Sequence, residues 1–116
     1  MDVKELEHIS NQAITWRRAM HREPGLAYQE HFSHRLIAGK LAEWRIPFVV
    51  LGRTGIVGFI EGNKTGPTIG LHADMDALPI EENKAGKPWA STIPGVMHAC
   101  GHDGHMAILM GTAQYL

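Results

Sequence analysis

Apolar residues recur at helical spacing along the first part of the chain. Leu6, Ile9, Ala13, Trp16 and Met20 are separated by alternating steps of three and four, which gathers them on one helix face. Asp2 precedes this stretch as a candidate N-cap, with Glu5 three residues further on, and Pro24-Gly25 breaks the pattern. A second helix is predicted from about Ala27 to Trp44, with Phe32, Leu36, Ile37, Leu41 and Trp44 facing inward and Pro47 closing it. The period then shortens to that of strands. Phe48–Leu51 and Ile56–Ile60 flank a turn at Gly52-Arg53-Thr54-Gly55, and a second turn covers residues 62–67. Thr68–Ala73 is predicted as a third strand, central because it is the more continuously apolar one. It runs into Asp74-Met75-Asp76, and the C-terminal end of a buried strand is where an open α/β sheet places its site. Residues 77–96 carry Pro79, Gly86, Pro88, Pro94 and Gly95 and read as irregular; a connection of this length is uncommon unless it builds a site. From about His102 the helical pattern returns through Met106, Leu109, Met110 and Ala113, and it is still apolar at Tyr115-Leu116, so the natural chain is expected to continue. The fold class expected is α/β, with helices packed on a central mixed sheet.

Composition narrows the picture. A chain of 116 residues, 44% hydrophobic and 20% charged, fits one globular domain. Eleven basic residues against twelve acidic ones leave a formal charge of -1, which argues against nucleic acid or an anionic membrane as the main partner. A single cysteine, Cys100, excludes an internal disulfide framework and suits a reducing compartment. No apolar run reaches the roughly 18 residues of a membrane span, and the N-terminal residues lack the apolar core of a signal peptide, so a cytoplasmic location is expected. The unusual count is eight histidines, of which His72, His98, His102 and His105 lie in the last third beside the cysteine.

That cluster, His98-Ala99-Cys100-Gly101-His102-Asp103-Gly104-His105, holds the strongest candidate chemistry. Thiolate and imidazole are the preferred ligands of zinc and related metals, and Gly101 permits the bend that brings Cys100 and His102 toward one ion. Asp103 could bridge two ions or hold an imidazole in place. Asp74 and Asp76 offer a carboxylate to orient a liganding histidine or a water. Glu81-Glu82 could supply a general acid/base pair, but their polar, lysine-bearing surroundings favour a solvated loop. His21, at a helix end, could be a metal ligand but reads first as a cap or a packed side chain, and His8, His31 and His34 read as surface. The glycine-rich stretch 52–58 precedes a strand instead of a helix, so it lacks the helix N-terminus of a phosphate-binding loop. Trp89, in the irregular segment, is a candidate pocket residue.

Three stretches carry a family resemblance. Arg17-Arg18-Ala19-Met20-His21-Arg22-Glu23-Pro24 with Glu30, then Leu71–Ile80, then Gly95–Met106, resemble in order and spacing the motifs of the M20 amidohydrolase/peptidase family. The subgroup is that of hippurate hydrolases, N-acyl-amino-acid amidohydrolases and auxin-conjugate hydrolases. The resemblance implies a zinc-peptidase-like α/β catalytic domain that uses one or two divalent ions (zinc, manganese, cobalt or nickel). The reaction it implies is cleavage of the amide bond of N-acyl amino acids or short peptides, in a protein expected to be a homodimer. By motif match Cys100 and His102 would be metal ligands and one of the pair Asp74 and Asp76 the catalytic-site carboxylate; in the His-x-Asp-x-x-Pro stretch of the wider family Asp76 aligns with the orienting aspartate and Asp74 with a ligand histidine. His72 stands where an arginine is common, and Gly25 where a glutamate follows the proline. The family's Glu-Glu pair with the general base, its further histidine ligands and its lid domain have no counterpart here. Residues 1–116 are therefore expected to form the N-terminal part of the catalytic domain, inactive alone. The alternative is a small non-catalytic metal-binding or redox-sensing module centred on Cys100.

Overall fold

The computed structural model describes residues 2–116. Its elements run α1 (Val3–Arg22), α2 (His31–Glu43), β1 (Phe48–Leu51), β2 (Gly55–Gly58) and α3 (His102–Tyr115). Asp2 caps α1 as expected: its backbone is extended and its carboxylate accepts the Lys4 N–H at 3.0 Å. The helix ends before Pro24, with His21 and Arg22 in the last turn, where positive charge complements the helix dipole.

The second helix starts at His31, later than the spacing predicted. Tyr28 takes a left-handed backbone with φ of 66°, and Gln29 N–H bonds back to Leu26 at 2.8 Å, so a turn occupies the predicted first residues. Gly25 makes this turn possible. A Cβ there would collide with the Gln29 carbonyl and lie 2.8 Å from Glu30 Cα, both backbone atoms that cannot move aside. Gly25→Ala is therefore expected to lower stability by about 1–3 kcal/mol, read as a lower urea midpoint; an unchanged midpoint would contradict this turn geometry. At the other end, Arg45 is left-handed (φ 59°), and the bonds Ile46 N–H to Leu41 and Arg45 N–H to Ala42 form a Schellman cap that stops α2 before Pro47.

β1 and β2 form a two-stranded antiparallel hairpin in which Phe48 pairs with Gly58 and Leu51 with Gly55; Gly52, with φ of 62°, turns the corner. The third strand is not formed. Residues 68–73 join no ladder among the described residues, and Ile69 and Leu71 are 79% and 59% exposed. An apolar run predicts a buried strand only if neighbouring strands satisfy its backbone groups, and here no strand lies beside it. The α/β class stands, with a hairpin as its sheet in place of a central mixed sheet.

The core lies where α1 packs on α3. Trp16, Met20, Met106, Ala107 and Met110 are buried together, and Phe32, Leu36, Ile37 and Trp44 of the second helical segment pack against them. Gly111 lets the helices approach closely, since a Cβ at that position would sit 3.2 Å from Ile9 Cγ2. Ala73 and Met75 also insert into this core, which fixes the alternating residues Asp74 and Asp76 near the start of α3. The irregular segment is closed at its ends by reciprocal backbone bonds between Leu78 and Met97 at 2.9 and 3.0 Å. Apolar surface is exposed on the last helix (Ile108) and along the hairpin (Val49, Val50, Leu51).

Candidate metal centre

The loop closed by Leu78 and Met97 delivers the chain to α3 through Ala99, Cys100 and Gly101. Gly101 takes a φ of 82° and its carbonyl accepts the N–H groups of Gly104 and His105, so the helix begins at His102. This brings His102 beside the residues that follow Ala73. Its Nδ1–H donates to Asp76, with the backbone oxygen at 2.9 Å and Oδ1 at 3.0 Å. That bond fixes the ring and its tautomer and leaves Nε2 with a free lone pair. Nε2 lies 3.8 Å from Asp74 Oδ2, and the His105 ring centre is 6.0 Å from that of His102. Asp74 is exposed. The hydrogen bond from His72 Nε2–H at 3.0 Å, with a smaller contribution from the charge of the surrounding histidines, holds its carboxyl below the usual range. Cys100 is a free, exposed thiol.

Asp74, Asp76 and His102 are thus brought together, with Cys100 two residues ahead on the same turn. His72 pairs with Asp74 and does not join His102. Among the described residues no three His, Cys, Asp or Glu side chains are arranged to hold a metal ion. The donor chemistry still fits a partial site: a thiol and an imidazole nitrogen with no protein partner, the imidazole oriented by a carboxylate. His98 is buried (4% exposed) and neither ring nitrogen has a protein partner; burial pushes its imidazole below its ordinary value, against the opposing pull of Asp103.

Three sequence-based readings change here. Glu82 is not in a solvated loop. It is 5% exposed, accepts the Ser91 N–H at 2.6 Å through Oε2, and meets His21 Nε2 at 2.7 Å through Oε1. Burial raises its pKa, but the bonds from His21 and Ser91 outweigh that and hold it below the ordinary value of 4.5. Its neighbour Glu81 remains exposed and accepts the Gly95 N–H. His21 is more than a packed helix end, because its Nδ1 lies 2.9 Å from Oδ2 of the fully buried Asp103. Arg17, one turn earlier on the same helix, reaches the same oxygen at 3.3 Å. His34 is half-buried and bonds the Thr54 carbonyl at 2.9 Å, while His8 and His31 are on the surface as expected. Trp89 lies under the Arg18 guanidinium, 4.3 Å from the ring centre, and so fastens the irregular segment to α1.

Residues 70–116 match peptidase family M20/M25/M40. Across 99% of its length the chain is 45% identical to thermostable carboxypeptidase 2 of Saccharolobus solfataricus, covering 29% of that protein. It is 37% identical over 97% of its length to the N-acyl-L-amino acid amidohydrolase of Geobacillus stearothermophilus, covering 31% of it. The crystal structure of the Bacillus subtilis YXEP protein, described as a dinuclear metal-binding peptidase from the M20 family, superposes with a TM-score of 0.88 at 39% identity over 95% of this chain and 31% of that one. The chain therefore spans about three-tenths of the length of these relatives.

Proposed function

The chain belongs to peptidase family M20/M25/M40, and from that premise we propose that it forms part of a metal-dependent hydrolase that cleaves the amide bond of N-acyl amino acids. Cys100 and His102 are its metal ligands in this chain. Asp76 is the carboxylate that orients His102, and Asp74 stands on the open side of the same imidazole. The observation that carries the reading is the His102–Asp76 pair, because a carboxylate on Nδ1 is how proteins present the other imidazole nitrogen to a metal. A divalent ion held there would supply acidity to a water and charge stabilisation to the developing oxyanion. The general base and the remaining ligands are proposed to lie outside these 116 residues, so the chain alone is expected to be inactive. The native metal, the acyl group, a homodimeric parent and a cytoplasmic setting belong to the same proposal; the lone thiol Cys100 suits a reducing compartment.

The test is a zinc and manganese titration of the full-length protein, followed by release of free amino acid from N-acetyl amino acids. Cys100→Ser and His102→Ala are expected to lose binding and turnover together, and Asp76→Ala to weaken binding by about 10- to 100-fold. Hydrolysis that persists in both ligand variants would sink the assignment. Metal binding without hydrolysis would favour the non-catalytic module.

A further inference from the structure

Three buried polar side chains from three parts of the chain meet behind the candidate ligands, and the exposed Arg17 reaches in to them. His21, from the last turn of α1, is at their centre. Its Nδ1 faces Asp103 Oδ2 at 2.9 Å and its Nε2 faces Glu82 Oε1 at 2.7 Å. Arg17, one turn earlier on α1, approaches the same Asp103 oxygen at 3.3 Å. The second oxygen of Glu82 takes the backbone N–H of Ser91 at 2.6 Å. His21 and Glu82 are 8% and 5% exposed, and Asp103 is fully buried. Both imidazole nitrogens face a carboxylate oxygen, so one ring bridges two side chains that lie far apart in the sequence.

The placement of this bridge matters because Asp103 follows His102 in the first turn of α3. That turn is held from two sides: His102 by Asp76, Asp103 by His21. Through Glu82 the same imidazole also holds the loop that leads into Cys100. Two backbone bonds tie that segment to the chain at the end of α1: Ala77 N–H to Gly25 and Thr92 N–H to Arg22, each at 2.8 Å.

We propose that His21 is a positioning residue for the metal site: by bridging Asp103 and Glu82 it fixes the Cys100–His102 turn and the loop before it in the geometry that presents the two ligands. The inference rests on the reading of Cys100 and His102 as ligands. The side-chain partners of His21 are Asp103 and Glu82, so it acts on the two ligands through them.

The experiment is a cobalt(II) titration of the full-length protein, followed by its visible absorption spectrum, which reports the geometry and the thiolate content of the site independently of turnover. His21→Ala is expected to bind cobalt about 10- to 100-fold more weakly, the usual consequence of losing an outer support of a metal ligand, with an altered spectrum. His21→Gln, which keeps one donor, is expected to recover part of both and serves if the alanine variant does not fold. Ile9→Ala, which loosens the α1–α3 packing far from the ligands, is expected to leave affinity and spectrum unchanged. Normal cobalt affinity and spectrum in a folded His21 variant, with binding lost in Cys100→Ser, would overturn the positioning role and leave the ligand assignment standing. Equal weakening by Ile9→Ala would also overturn it, since the effect would then be one of general stability. Binding unchanged in Cys100→Ser would overturn the ligand assignment, and the positioning role with it.

Discussion

Replacing Trp16 by alanine is expected to lower the unfolding free energy by about 3–5 kcal/mol. The indole is 6% exposed and packs with Met20, Met106, Ala107 and Met110, the residues through which α1 holds α3. It also meets Trp44, with ring centres 5.4 Å apart and planes inclined by 59°, and so couples the end of α2 to the same core. Alanine removes the shared partner of all three helical segments, and the cavity left between two helix backbones cannot collapse without moving α3. A single domain is stable by about 5–15 kcal/mol, so the loss is a large fraction of the total. Urea unfolding measures it directly. A loss below about 1 kcal/mol, the size of a surface substitution or a small repacking, would show that Trp16 does not hold these helices together.

Glu82→Ala is expected to cost a similar amount, about 3–5 kcal/mol at neutral pH, because it leaves the buried His21 nitrogen and the Ser91 N–H without their acceptor. The charge adds a pH signature. The carboxyl titrates below 4.5 in the folded protein and near 4.5 when unfolded. Between those two values the unfolded chain binds more protons, so stability rises with pH there. The contribution is complete above about 4.5 and is lost as pH falls through the lower, folded value. Glu82→Gln keeps the shape without the ionisation, and its stability is expected to fall less steeply on acidification than that of the wild type. Parallel slopes for the two proteins across the acid range would show that the Glu82 charge contributes nothing.

Much of the site could be read from the residues themselves. The candidate ligands Cys100 and His102, and the aspartates two apart at the end of an apolar run, are local features: ligand chemistry and short spacing suffice to find them. The buried bridge was hidden for the opposite reason. His21, Glu82 and Asp103 are 61 and 82 positions apart in their pairings, and nothing in the polar stretch around Glu82 marks it as buried. Glu81 and Lys84 beside it do face solvent, while Lys87 is half-buried with its ammonium 3.9 Å from Glu82 Oε1.

The same division runs through the fold. Helix faces, the Asp2 cap, the hairpin and the start of α3 follow from periodicity, turn residues and capping chemistry, each decided within a few positions, so the sequence by itself determined them. The late start of α2 turned on a left-handed Tyr28 and the close approach at Gly25. The unpaired segment 68–73 turned on whether another strand lies beside it. The charge bridge turned on α1, α3 and the irregular loop meeting in one place. Only the tertiary structure decided these, because each depends on which distant backbone or side chain a residue meets, and local pattern carries no information about that partner.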